Sequence, residues 1–360
     1  MDKKFVMGIA AMAALTLVSC SSDDLDSFSD NSSKNEAISF DGYLGRSAVA
    51  VNGTRGSVVT IDELQKSSEG FGVFGNYSSK DNTETAYGEN LFKNEQVTYG
   101  KTPNPAEWTY TKTKYWPTEG HIDFLAYAPY DGNQKLIENS KLKFNVTGQK
   151  DLLWAKAEKQ TMKNNSGAKK VEFTFRHALS RLGYSVKLKK KCSSDATITL
   201  KKIILAGSAT EPTVGSATES GAFYTNGTID LSTGNWNPLS DKQYFNWYSA
   251  ETPGTQTVAF TSTSDETYTS TDYLFVIPQD FSETATDKLY VIVEYDIKYN
   301  GISETLTNTV HQQIKQKFVQ GKAYMINLTI GRPIEFNAEV TPWTKSPDNE
   351  ITNIPIDSWE

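Results

Sequence analysis

Two cysteines are the only thiols in this 360-residue chain, and their neighbours give them different chemistry. Cys20 closes the run Leu17-Val18-Ser19-Cys20, the pattern at which a lipoprotein peptidase cuts and leaves the thiol carrying diacylglycerol. The preceding residues suit that reaction. Lys3 and Lys4 make a basic start, and Phe5 to Val18 is an apolar run too short to remain across a bilayer. The mature chain is therefore expected to begin at a lipidated Cys20, outside the cytoplasm, anchored to a membrane rather than spanning it. No second apolar run of spanning length follows. Cys192 is then alone in the mature body, so no intramolecular disulfide can form. Its neighbours Lys189, Lys190 and Lys191 favour a thiolate, but no histidine stands near it in sequence, and an inert thiol is expected.

Other reactive constellations fail on spacing. His121, His177 and His311 have no partner at metal-ligand distance along the chain, so no metal site is expected. His177, in FTFRHALSRL with Arg176 and Arg181, and His121, after Gly120, read as satisfied histidines at strand ends. No GxSxG elbow or glycine-rich phosphate loop is present, and Gly321-Lys322 lacks the upstream glycine of one. No carboxylate pair of the glycosidase kind stands out among the 43 acidic residues. Trp108, Trp116, Trp154 and Trp236 could stack on sugars, although core packing is the commoner use. A net charge of -7 argues against nucleic acid or an anionic lipid surface as partner. The residues thus point away from an enzyme and from any cofactor, and towards binding or assembly.

The elements that would position these residues are strands. Residues 21–36, SSDDLDSFSDNSSKNE, form a polar, acidic tether without apolar periodicity. Within it Asp23, Asp24 and Asp26 resemble the acidic signal that sends lipoproteins to the outer face of an outer membrane. From Ile38 onward, short period-two runs of aromatic and β-branched residues are broken by Gly, Asn, Asp and Ser, the pattern of an all-β sandwich. Expected strands are 37–44, 71–77, 121–130, 141–146 and 151–157, then 171–177, 183–190, 196–207, 221–231, 272–278, 288–299, 302–310 and 323–331. Ile61 to about Glu69 reads as a helical turn or a short helix, and Tyr299-Asn300-Gly301 as a tight hairpin. The polar run 158–170 marks a boundary. The expected organisation is a signal peptide (1–20), the tether (21–36), two tandem sandwich domains (37–165 and 166–346) and a tail (347–360).

Several stretches, in this order along the chain, resemble the fimbrillin family of pilus subunits. They are TRGSVVTIDELQKSSEGFGVFGNY (54–77), YWPTEGHIDFLAYAP (115–129), FTFRHALSRLGYSVKL (173–188), YLFVIPQ (273–279) and GKAYMINLTIGRPIEFNAEVTPWT (321–344). The resemblance implies two transthyretin-like β-sandwiches, export as a lipoprotein to the outer membrane and cell surface, and cleavage by an arginine-specific protease after the first strand. It further implies that a strand from a neighbouring subunit fills the vacated groove. The partners so implied are other fimbrillin subunits, the protease, the membrane through the precursor's lipid, and a host or bacterial surface ligand.

Onto this chain the implied scheme maps as follows. Ile38, Phe40 and Leu44 share one face of the first strand and would cover the groove. Arg46 in YLGRSAV and Arg55 in NGTRGSV are the candidate cut sites; Arg55 fits the family pattern better. The alternative, in which neither is cut, belongs to an anchor subunit that keeps its lipid. At the other end Ile354 and Ile356 share one face, and Ile351 the other with Trp359, so the tail is either a donor strand restricted by Pro355 or a solvated extension. A surface lipoprotein that binds polysaccharide is the other reading of the same features.

Overall fold

The computed structural model describes residues 36–44, 59–100, 106–165, 170–188, 196–213, 220–238, 241–261 and 267–330, and the backbone pairing of Glu335–Pro342 and Thr352–Pro355. The chain divides into two compact units, Met1–Lys34 and Asn35–Glu360. The first unit, with Cys20, Asp23, Asp24 and Asp26, lies outside the described residues, as do Arg46, Arg55, Cys192, Ile351 and Ile356.

The described body is all-β, as the period-two pattern requires: its one helix of any length, α1 (Ile61–Lys66), is six residues long. A capping box starts that helix. Thr60 N–H donates to Glu63 Oε2 at 2.9 Å and Glu63 N–H to Thr60 Oγ1 at 3.2 Å, so two otherwise orphaned donors are satisfied by the sequence Thr-x-x-Glu alone.

Ten strands build the first half and the crossing into the second. They are β1 (Phe40–Leu44), β2 (Phe71–Ser78), β3 (Phe92–Gly100), β4 (Glu107–Thr109), β5 (His121–Ala128), β6 (Lys141–Asn145), β7 (Leu153–Gln160), β8 (Val171–His177), β9 (Ser180–Leu188) and β10 (Ala196–Ala206). Seven of them form one sheet in the order β1-β8-β7-β5-β2-β3-β4. β8 shows strict alternation, buried at Val171, Phe173, Phe175 and His177 and exposed between. β5 is buried at every position because its two faces enter different cores. Ile122, Phe124 and Ala126 point into the core under the seven-stranded sheet, and Leu125 and Tyr127 into a second core.

Pairing and packing cross the boundary expected at 165/166. β8 pairs with β1 and β7, so the first sheet runs on to His177. β6 in turn pairs antiparallel with Asn226–Asp230, which belongs to the second half. Of the polar run 158–170, residues 158–160 are the outer end of β7 and residues 161–165 a turn, where Thr161 N–H donates to Asn164 Oδ1 at 2.7 Å; Glu158, Lys159, Lys163 and Asn164 are exposed. Phe74, Leu125 and Trp154 from one half pack with Ile229, Leu231, Phe275 and Ile277 from the other. Trp154 lies so close to Gly234 (φ +80°) that a Cβ there would stand 2.3 Å from its ring, which only glycine tolerates.

The second half has its own core between two sheets. One orders Phe245–Ser249, β10, Tyr290–Tyr299 and Leu306–Gln313; the other orders Thr267–Thr269, β9, Lys322–Ile330, Glu335–Pro342 and Thr352–Pro355. Leu182, Tyr184 and Val186 of β9 meet Leu200, Ile203 and Leu205 of β10 across it. The hairpin after Tyr299 is longer than its Asn-Gly implies, because pairing starts at Ile297 with Leu306. Ile302 is half exposed, so the intervening residues have little to gain from pairing.

Candidate strand-exchange site

The segment 36–44 forms one edge of the seven-stranded sheet and is bridged on its other side to residues 114–116. On one side β1 runs parallel to β8, with Phe40 opposite Val171 and Leu44 opposite Phe175. On the other, Ile38 N–H donates to Lys114 O at 2.8 Å and Trp116 N–H to Glu36 O at 3.0 Å, which ties the same segment to the chain beyond β4. Removing residues 36–44 would therefore uncover backbone donors and acceptors on both sides at once.

Inward, the segment fills the core. Ile38 and Phe40 are fully buried, and Leu44 is half buried. The Phe40 ring lies 5.5 Å from Phe92, Tyr110 and Phe124 and 5.7 Å from Phe173, edge to face with Phe92 and Phe124, tilted against Tyr110 and stacked on Phe173; edge-to-face contacts suit aromatic quadrupoles. Lys114, paired with Glu95 at 2.7 Å, lies over the Phe92 ring at 4.3 Å and covers this cluster from the solvent side. Outward, Asp41 and Tyr43 face water, and Tyr43 donates its hydroxyl to Asp41 Oδ2 at 3.1 Å. That hydrogen bond raises the Tyr43 phenol above its ordinary pKa.

Tyr110 joins the core to the backbone of the segment, donating its hydroxyl to Ile38 O at 2.8 Å. Burial pushes this phenol above its usual pKa of 10.0, so the folded state holds the proton more tightly than the unfolded chain does. The stability this supplies is present below pH 10 and is lost as pH rises through the folded value. Tyr110→Phe is expected to cost about 1 kcal/mol at neutral pH and to reduce the fall in stability above pH 10. Urea titrations of both proteins across that range test it.

Where the chain re-enters after residues 45–58, a buried carboxylate receives it. Asp151 accepts from Val59 N–H at 3.1 Å, from Leu152 N–H at 2.8 Å and from His177 Nδ1–H at 2.8 Å. Asp151 is completely buried and His177 nearly so. His177 is thus the satisfied strand-end histidine the sequence implied, holding the end of β8 to the start of the helical arm. His121 has the same kind of role: its Nε2 lies 3.2 Å from Asp123, whose carboxylate also accepts from Ala86 and Lys159 N–H. His311 is exposed on the strand Leu306–Gln313. Arg176 is exposed beside Trp154, whereas Arg181 lies 4.5 Å over Tyr273 and burial lowers its pKa.

The four tryptophans do not make a sugar platform. Trp108, Trp116 and Trp154 are buried, and half-buried Trp236 spends its indole N–H on Ala178 O at 2.7 Å. Trp108 and Trp116 fill the first core, and Trp154, with Trp236 packed against it, the second, the usual use of large rings. Among the described residues no three His, Cys, Asp or Glu side chains are placed to hold a cation. At the C-terminal end, Thr352–Pro355 pairs antiparallel with Glu335–Pro342, with Ile354 opposite Ala338. Sequence reasoning missed Asp151 and Tyr110, whose partners lie 92 and 72 residues away, and no local pattern signals either contact.

These features define an all-β sandwich protein whose first strand plugs its own core from a sheet edge. Residues 54–343 match the family described as fimbrillin-like, and the chain belongs to that family. The fold is similar to that of a fimbrial protein from Bacteroides vulgatus, with a TM-score of 0.65 at 20% identity over 86% of this chain and 100% of that one. A protein from Bacteroides uniformis proposed to act in cell adhesion aligns over 88% of this chain and 100% of its own, with a TM-score of 0.46 and 17% identity. No curated protein matches the chain.

Proposed function

We propose that this protein is a structural subunit of a bacterial surface fimbria, exported as a lipoprotein precursor and polymerised by strand exchange to support adhesion. The observation that carries this reading is the placement of residues 36–44. They fill the aromatic core, hydrogen-bond on one side to β8 and on the other to residues 114–116, and are joined to the body through residues 45–58, which contain Arg46 and Arg55. Membership of the fimbrillin-like family supports the same role.

In this scheme the lipid on Cys20 delivers the precursor to the outer membrane, and an arginine-specific protease cuts after Arg55 or Arg46. The anchor and the first strand then leave together. Burying Ile38 and Phe40 gains about 1.5–3 kcal/mol each, and an incoming strand of the same pattern recovers that together with the backbone pairing. Polymerisation needs no other energy source. The tail bearing Ile351, Ile354 and Ile356 is the candidate donor; its Thr352–Pro355 pairs with Glu335–Pro342 at a sheet edge.

The test is digestion of the full-length chain with an arginine-specific protease. Expected products begin after Arg55 or Arg46 and form multimers that survive denaturant without heating. The double variant Arg46→Lys/Arg55→Lys stays intact and monomeric. Trimmed protein that remains strictly monomeric would exclude polymerisation.

A further inference from the structure

The end of the chain repeats the pattern of its first strand. Ile38-Ser39-Phe40-Asp41-Gly42-Tyr43 and Ile354-Pro355-Ile356-Asp357-Ser358-Trp359 match position by position: large apolar, spacer, large apolar, aspartate, small residue, aromatic. The groove gives most of those types a physical reason. Positions 38, 40 and 42 point inward and are buried. Position 42 is the narrow one. A Cβ on Gly42 would stand 3.3 Å from Phe175 Cε2 and 3.7 Å from Phe71 Cε1, so a residue of serine size enters after a small shift and a branched or aromatic one does not.

The outward positions are consistent too. Asp41 accepts from Gly42 N–H at 2.9 Å and from the Tyr43 hydroxyl; Trp359 brings an indole N–H where Tyr43 brings its phenol. Ser39 uses its carbonyl to accept from Val171 N–H at 2.9 Å, and a proline keeps that carbonyl. The residue before a proline is held extended, as this position of the strand requires.

We propose that Phe175, standing over position 42, is the residue that selects the incoming strand and fixes its register. The occupant is residues 354–359 of a second copy, parallel to β8, with Ile354 and Ile356 in the places of Ile38 and Phe40 and Ser358 beneath Phe175. This rests on the reading that a neighbour's strand replaces residues 36–44, and adds which side chains must stand where. Slipping by one residue turns Pro355 and Asp357 into the apolar groove. Slipping by two places either Ile356 or Glu360 beneath Phe175.

The test uses the full-length chain with substitutions at Ser358, in the tail rather than the groove, followed by arginine-specific proteolysis. Mass spectrometry of the new N-terminus reads trimming, and unheated denaturing gels read multimers. Ser358→Ala and Ser358→Gly are expected to multimerise as the unaltered chain does. Ser358→Leu and Ser358→Trp are trimmed normally, but their multimer yield falls by about tenfold or more, the result of overpacking a closed site. Phe175→Ala, or the milder Phe175→Leu, restores the yield of Ser358→Leu. Multimers that form equally well with leucine or tryptophan at position 358 overturn the selection by Phe175 while leaving strand exchange standing. An unaltered chain that is trimmed yet forms no multimers overturns strand exchange itself, and this inference with it.

Discussion

Phe40→Ala is expected to lower the stability of the body by about 3–5 kcal/mol, the range for truncating a buried phenylalanine whose surroundings cannot collapse. Collapse is restricted here because Phe92, Tyr110, Phe124 and Phe173 come from different elements and touch one another as well as Phe40. Each aromatic contact contributes about 0.5–1.5 kcal/mol beyond area burial, but the terms share atoms and do not add. The measurement is a urea midpoint followed by tryptophan fluorescence, which Trp108 and Trp116 in the same core make sensitive. Tyr43→Ala serves as the control: it lies on the same strand but is 49% exposed, and a change within about 0.5 kcal/mol is expected. Equal effects of the two substitutions would mean that the first strand does not fill the core in solution. Under the strand-exchange reading, Phe40→Ala also speeds release of the segment after cleavage, because the departing strand gives up less buried area.

Asp151→Ala has the other large expected effect, about 3–5 kcal/mol, the range for breaking a buried charge-assisted network from one side. The substitution removes the acceptor shared by Val59 N–H, Leu152 N–H and His177 Nδ1–H. Each buried donor that loses its partner costs about 1–3 kcal/mol. Asp151→Asn keeps one acceptor oxygen and is expected to cost less than alanine. A double-mutant cycle with His177→Ala separates the pair from the rest: strong coupling assigns the loss to the Asp151–His177 contact, and additivity assigns it to the two backbone donors. Because Val59 begins the arm that follows residues 45–58, the Asp151 contact also holds the body's new N-terminal region after a cut at Arg55. Asp151→Ala is therefore expected to expose that arm to further proteolysis, read as smaller fragments in a time course. A trimmed body of unchanged resistance would argue against this anchoring role.

The strand exchange proposed for this protein and the register proposed within it separate cleanly by experiment. The arginine substitutions act on release of the first strand, and the Ser358 series acts on entry of its replacement. Stability changes at Phe40 and Asp151 depend on neither, and measure how firmly the plug and the arm are held before any cut.

Local chemistry in the sequence determined the all-β class, most strand positions and the helix at Ile61–Lys66, because alternation and a capping box depend on neighbours within a few residues. It also determined that Ile38 and Phe40 share an inward face, since the strand period leaves no other choice. What those side chains meet was decided only by the tertiary structure. The pairing of Phe40–Leu44 with Val171–His177, of Lys141–Asn145 with Asn226–Asp230, and of Asp151 with His177 joins residues far apart in the chain. No local pattern encodes such partners, because they are chosen by which sheets can cover which faces. Such pairings cross the boundary expected at 165/166, where the sequence offered only a polar stretch: polarity marks exposure to water, and a turn at the end of a strand is as exposed as a linker between two domains.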